Sequence, residues 1–391
     1  MAPPQNARLV PTVAEILKDP AFPTAIFNLE PDQSGLLPVA EGRGGPFNLS
    51  WEIHGHGPIK LVLIMGLASL KTSWQRQTLH FGHQHASEYS VLVIDNRGMG
   101  DSDKPLMRYS SSEMASDLIE VLTHVGWLRA QQPSTSEARN LHVVGISLGG
   151  MIAQELACRI PTAISSLSLI CTAAAIENTT TWAENMANRV SMLVPKSVDR
   201  SVNDTASQIF SHEWLAQPDD AVLPDPSTTP KCLPPAPGPH IIRASEVAAD
   251  ASAKDVAGGM NPTNTPTKYL GFQSNAHRFV AQEMHKRLDA ARFGIKGFLL
   301  QLIAAGWHHK SAEQLKEMAD KVGRERILVM HGDADRMISV PHGRKLIEYI
   351  EPGVGKIVEG MGHAPLVEKC GWFNKTIEER CALGERLDGR A

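Results

Sequence analysis

Cysteine is sparse in this chain and has no pairing pattern. Five cysteines (Cys158, Cys171, Cys232, Cys370 and Cys381) are scattered through 391 residues, and no CxxC occurs. An odd, dispersed set gives neither a disulfide framework nor the spacing of a structural zinc site. Long apolar runs are also missing. The longest, Leu61–Leu70, is interrupted by Gly66 and is about half the ~20 residues that span a bilayer. Neither charge is in excess: 38 basic against 42 acidic residues leave a net charge of −4. That balance gives no electrostatic reason to expect nucleic acid or an anionic membrane as partner. Residues 1–8 lack a basic stretch followed by an apolar one, so no secretory leader is expected and the default expectation is a cytoplasmic protein. Internal repeats are absent. The sequence leaves room for a homodimer.

Apolar residues make up 42% and charged residues 20%, the balance of a folded chain. Its length allows two domains, or one large domain with an insertion. Residues 1–45 are punctuated by proline and read as an N-terminal arm or the lead into a hairpin. Phe47–Ile53 alternates apolar and polar, the period of a half-buried strand. Ile59–Met65, Tyr89–Asp95, Leu141–Ile146, Ile164–Ile170 and Arg326–Met330 are short apolar runs that read as buried strands, and 355–360 as a last short one. Helical patterns fall between them at 111–125, 151–160 and 343–350. Strands alternating with helices predict an α/β fold with a mostly parallel twisted sheet flanked by helices. The expected core is 46–172 with 323–391.

The alternation breaks at 173–322, which holds helix-like pieces at 182–193, 279–305 and 311–322. Within it, residues 218–266 carry ten of the chain's 26 prolines. A long insertion between buried strands is usually functional, and this one is expected to be a mainly helical cap or lid.

The sharpest signal is Gly145-Ile-Ser147-Leu-Gly149. A strand pattern runs into it and a helix pattern leaves it, as a nucleophile elbow requires. Glycines two residues either side of the serine relieve the crowding of a strained turn and expose the Ser147 hydroxyl. The Leu148 N–H then sits at a helix N-terminus, where negative charge is favoured. A serine needs a base. Downstream, His331-Gly-Asp333-Ala-Asp335 follows a strand pattern, and Gly362-His363-Ala-Pro365 follows the last one. The order Ser…Asp…His is the α/β-hydrolase order. Met65-Gly66-Leu67-Ala68 follows an early strand, and the N–H groups of Leu67 and Leu148 are candidates for an oxyanion hole.

These motifs, together with Trp74 and Asp95-Asn-Arg-Gly-Met-Gly-Asp-Ser102, resemble the α/β-hydrolase superfamily, in its fungal, cytosolic serine-hydrolase form with a helical cap after the sixth strand. The resemblance covers about residues 45–385 and is weak in the cap. It implies that Asp335, rather than Asp333, is the acid of a Ser147–His363–Asp335 triad. It also implies that no metal or organic cofactor is needed. Many members carry His-Gly on the oxyanion loop, whereas here Met65 precedes Gly66. The implied reaction is cleavage of a carboxylic ester, lactone or thioester of a small, largely apolar molecule through an acyl-enzyme. An acyltransferase or C–C-bond hydrolase using the same serine remains open. So does a non-hydrolytic binding protein or cyclase on the same fold.

Weaker signals carry plainer readings. Trp182, Met186, Trp307 and His308 in the insertion are candidate substrate-lining residues. Cys171 reads as a buried structural thiol. His80-Phe-Gly-His83-Gln-His85 is rich in ligands, but no carboxylate stands near it in sequence, and it reads as a solvated loop.

Overall fold

The apolar runs form the centre of one eight-stranded sheet. Its strands are β1 (Gln33–Val39), β2 (Phe47–His54), β3 (Ile59–Ile64), β4 (Tyr89–Ile94), β5 (Leu141–Ile146), β6 (Ile164–Ile170), β7 (Ile327–Gly332) and β8 (Val354–Val358). Their order is β1-β2-β4-β3-β5-β6-β7-β8. β1–β2 and β2–β4 pair antiparallel, and all remaining pairs are parallel. The central strands β4, β5, β6 and β7 are buried along their whole length, which explains their unbroken apolar character. This computed structural model describes residues 9–129, 139–177, 196–236 and 266–390.

Helices cover the sheet as their patterns require. Ser111–His124 is capped by Ser110, whose side chain accepts the Glu113 N–H, and it buries Met114, Leu118, Val121 and Leu122. Leu148–Arg159 follows β5 directly. Ala312–Val322 buries Leu315, Met318, Ala319 and Val322, an i, i+3, i+4, i+7 stripe. The C-terminal helix Cys370–Leu387 was not read from the sequence. Among the described residues no helix is long and apolar enough to cross a membrane.

The chain divides into two compact units, one of 31–177 with 291–391 and one of 1–30 with 178–290. The first holds the whole sheet. In the second, the described α-helices are Val13–Leu17, Val198–Ile209, His212–Ala216 and Asn275–Leu288, with a 3-10 turn at Phe22–Thr24, and Arg278 holds Asp219 at 2.6 Å.

These bounds differ from the sequence-based ones: residues 173–177 fall in the sheet unit, and 1–30 group with 178–290. Residues 33–39 are the edge strand β1, paired antiparallel with β2, so of the two readings of this stretch the lead into a hairpin holds and the arm does not. The strand is half exposed and contains Pro38, and an edge position tolerates proline because one side needs no N–H. Residues 291–322 belong to the sheet unit, because their apolar stripes pack there. The predicted helix 279–305 is two helices, Asn275–Leu288 and Ile295–Gly306.

The histidine-rich segment is also corrected. Thr78–Gln84 is a π-helix, not a solvated loop. His83 is buried and its Nε2 lies 3.0 Å from His54 Nδ1. The apolar residues Leu79 and Phe81 fix the segment in the core.

Candidate active site

Ser147 occupies the turn between β5 and helix Leu148–Arg159 with φ 57° and ψ −124°. A non-glycine residue at positive φ is strained and is held by its surroundings. Here its N–H donates to Ile170 O at 3.0 Å, while its carbonyl accepts Gly150 N–H at 2.9 Å and Thr172 Oγ1–H at 2.7 Å. The flanking glycines are required by backbone contact. A Cβ on Gly145 would lie 2.3 Å from Gly149 O, and one on Gly149 2.1 Å from Ile64 O. The elbow is thus wedged against the end of β3.

The loop after β3 abuts the serine. A Cβ on Gly66 would lie 2.9 Å from Ser147 Cβ and 3.4 Å from its Oγ. Among the described residues, neither the Leu67 nor the Leu148 N–H makes a hydrogen bond. Both are therefore available to an incoming acceptor. The loop is braced by residues to which the sequence assigns no role. Asn96 Nδ2 donates to Met65 O at 3.0 Å. The fully buried Gln301 accepts Ala68 N–H at 3.0 Å and donates to Arg97 O at 3.0 Å. Arg97 in turn grips Asp117 with two bonds of 2.7 Å. The Asp95–Ser102 motif therefore acts as a brace for the loop beside Ser147. The mid-helix glutamine could have been flagged as the lone polar residue in the apolar run Gly297–Ala305.

Asp335 and His363 lie on the loops after β7 and β8, and His363 Nδ1 is 2.7 Å from Asp335 Oδ2. Both are buried. Asp335 Oδ1 accepts the Met337 and Ile338 N–H groups at 2.8 and 2.9 Å. His331 Nε2 is 2.7 Å from Ile338 O and 3.3 Å from Asp335 Oδ2. Burial by itself would push the Asp335 carboxyl up. The His363 and His331 rings overcome it and hold the group well below the usual carboxylate range. An ionised acceptor fixes the proton of His363 on Nδ1 and leaves Nε2 with its lone pair. Asp333 is exposed and its Oδ1 accepts Gly360 N–H at 2.8 Å, closing the neighbouring turn.

Gly332 lets these two loops touch, since a Cβ there would sit 2.0 Å from Met361 O. Cys171 is buried beneath the pair, with its Sγ, an Asp335 oxygen and a His363 nitrogen all within 4.8 Å of one another. Burial, reinforced by the Asp335 charge, pushes its thiol well up, so it stays protonated. Buried Glu368 accepts Gly362 N–H at 3.0 Å and fixes the backbone next to His363.

The structure thus brings Asp335 to His363 and Gly66 to Ser147. Ser147 Oγ makes no hydrogen bond among the described residues, so no direct bond links it to His363 in this structure. Trp307 is 71% exposed and lies beneath the Arg108 guanidinium at 4.7 Å. His308 is buried against Ser111 Oγ at 2.8 Å. No hydrogen bond or ring contact joins either to Ser147 or His363 among the described residues. Trp182 and Met186 lie outside the described residues.

Residues 53–376 match the alpha/beta hydrolase family. The chain belongs to that family. Among its relatives is a putative carbamate hydrolase of Azorhizobium caulinodans, 30% identical over 134 residues, which are 34% of this chain and 44% of that protein. Another is 3-oxoadipate enol-lactonase 2 of Acinetobacter baylyi, 29% identical over 122 residues, 31% of this chain and 40% of that protein. The chain therefore spans less than half the length of these curated relatives. Of the solved structures, a thermophilic esterase of Thermogutta terrifontis superposes with a TM-score of 0.52 at 19% identity, covering 89% of this chain and 97% of that one. At that identity the likeness is one of fold. The eight-stranded sheet is the alpha/beta hydrolase sheet, and Ser147, Asp335 and His363 stand at the ends of its strands β5, β7 and β8.

Proposed function

We propose that the chain is a serine hydrolase that cleaves a carboxylic ester, lactone or thioester of a small, largely apolar molecule. One observation carries the reading: a serine held at positive φ on a strand-to-helix turn, in the same sheet unit as a buried carboxylate–imidazole pair of 2.7 Å. An ordinary glycine-rich turn needs no strained serine, and a surface histidine needs no buried acid. The names of the lactonase and carbamate hydrolase relatives agree with acyl-group chemistry.

In the proposed reaction Ser147 Oγ attacks the acyl carbon as His363 Nε2 takes its proton. Asp335 keeps the ring oriented and stabilises the imidazolium. The carbonyl oxygen becomes an oxyanion that accepts the Leu67 and Leu148 N–H groups. Collapse expels the alcohol or thiol, which leaves with the proton from His363. Water then gives its proton to His363, attacks the acyl carbon and releases the acid, and Ser147 recovers its hydrogen.

The test is labelling by a fluorophosphonate together with turnover of p-nitrophenyl esters from acetate to long chains, in wild type and Ser147→Ala. Labelling and turnover that both vanish in the variant support the reading. Labelling with acyl transfer to an added alcohol or thiol, and no hydrolysis, replaces it with an acyltransferase. Absence of labelling in folded protein overturns the nucleophile assignment.

A further inference from the structure

His80, His85 and Glu378 meet at the surface, far from Ser147 in the chain. The π-helix explains how the histidines converge. His85 N–H donates to His80 O at 3.0 Å, an i to i+5 bond. This wider turn sets residues five apart nearly above one another, as an α-helix would not. Their rings are 4.8 Å apart between centroids and tilted by 50°. The carboxylate comes from the C-terminal helix, 298 residues further on: Glu378 Oε1 is 2.5 Å from His80 Nε2. One donor atom from each of the three residues lies within 4.8 Å of the others. Glu88 Oε1 stands 3.4 Å from His85 Nδ1 at the edge of the cluster.

We propose that His80, His85 and Glu378 form a binding site for a divalent transition-metal cation, with Zn²⁺ as the reference ion. Two imidazoles and one carboxylate suit Zn²⁺ and its neighbours and are a poor set for Mg²⁺ or Ca²⁺, which take oxygen ligands. Zinc bonds of about 2.0–2.2 Å need donors roughly 3.3 Å apart in a tetrahedron. The partly exposed side chains, 24% for His80, 40% for His85 and 37% for Glu378, have room to adjust to that spacing. Two changes admit the ion. The His80 proton moves from Nε2 to Nδ1, freeing the Nε2 lone pair, and the His80–Glu378 bond opens. Water fills the fourth position.

The backbone around the site is already fixed. Buried Gln77 donates to Leu366 O at 2.9 Å and Asn374 Oδ1 at 3.0 Å, and Trp74 stacks with Phe373. The ion would therefore bridge two elements that already touch, and bind the folded chain in preference to the unfolded one. A plain His80–Glu378 ion pair is the rival account, and it makes no use of His85.

The experiment uses the tag-free, EDTA-treated full chain with chelator-buffered Zn²⁺, and reads uptake by equilibrium dialysis and the melting temperature. Co²⁺ absorption in the visible reports ligand geometry in wild type alone. His85→Asn and Glu378→Gln are surface changes whose folding is checked by circular dichroism. One equivalent of Zn²⁺ bound, a melting temperature rising with the logarithm of free Zn²⁺, and more than about tenfold weaker binding in each variant are expected, since even outer-shell partners contribute that much. No uptake by wild type, equal uptake by both variants, or an equal shift with Mg²⁺ overturns the proposal.

Discussion

Gln301 Oε1 accepts the Ala68 N–H at 3.0 Å, two residues beyond Gly66, which abuts Ser147. Its other end donates to Arg97 O at 3.0 Å, so one buried amide ties two loops together. Gln301→Met keeps the chain length and removes both bonds. The loss of stability should be about 1–3 kcal/mol, the cost of leaving a buried partner unsatisfied. On the proposed reaction, the Leu67 amide would also lose its fixed position. Removing an oxyanion donor outright costs roughly 10²–10³ in kcat, and misplacing one should cost about tenfold. Steady-state kinetics on an activated ester check this. A change in KM with kcat intact would remove Gln301 from any role in positioning the loop.

Two glycines separate folding from chemistry. Alanine at 149 would push a methyl to 2.1 Å from Ile64 O, against backbone that cannot retreat. Gly149→Ala is expected to cost about 3 kcal/mol or more. Alanine at 66 meets Ser147 Cβ at 2.9 Å instead. Gly66→Ala, which also meets Ile146 O at 3.3 Å, should cost less stability than Gly149→Ala, about 1–3 kcal/mol, and slow fluorophosphonate labelling at least about tenfold, because the displaced residue is the proposed nucleophile. Equal loss of stability in the two variants would contradict this division.

The sheet was legible because its strands are buried on both faces, so that Leu141–Ile146 and Ile164–Ile170 carry an apolar signal at full strength. β1 was not, because an edge strand with Gly35 and Pro38 needs no such signal. Ser147 is marked as a candidate by its glycines and His363 by its position after the last strand, while position leaves Asp333 and Asp335 both open and the family resemblance singles out Asp335. Gln301 stands out locally only as the one polar residue of an apolar run, and Cys171 only as a buried thiol; what they brace, like the contact of Glu368 with Gly362, depends on residues distant in sequence. The same holds for the histidine-rich segment. Glu88 is the carboxylate near it in sequence and stands at its edge, whereas the one that meets His80 is Glu378 on the C-terminal helix.

Asp335→Asn tests the acid through its hydrogen bonds. Oδ1 accepts two backbone N–H groups, from Met337 and Ile338. In the variant the amide oxygen must stay on that side, which turns the NH2 group toward His363 Nδ1. That nitrogen then has to accept, the proton moves to Nε2, and the base is blocked. A fall of roughly 10³–10⁴ in kcat with a nearly native fold is expected. A loss below about tenfold in ester turnover would mean that Asp335 does not hold the tautomer.

Acid should destabilise the fold through His308. Burial, with the Lys310 and His309 charges, pushes its ring down to about 3. The groups that face it do not rescue the cation. Ser111 Oγ lies 2.8 Å from Nδ1, and Glu155, 4.0 Å away, is already paired with Lys310 Nζ at 2.9 Å. The ring is therefore neutral in the folded chain at pH values where the unfolded chain has begun to take up a proton. Because the unfolded state binds more protons, stability rises with pH. This contribution is complete above the ordinary histidine value of 6.5 and is lost as pH falls from there toward 3. One such proton steepens the decline by up to about 1.4 kcal/mol per pH unit. His308→Asn retains an acceptor for Ser111 and cannot titrate. Urea unfolding at intervals from pH 7.5 to 4.5 should give a shallower slope for the variant by about that amount below pH 6. Parallel slopes would mean that the buried ring takes up its proton without unfolding, and that Glu155 turns from Lys310 to receive it.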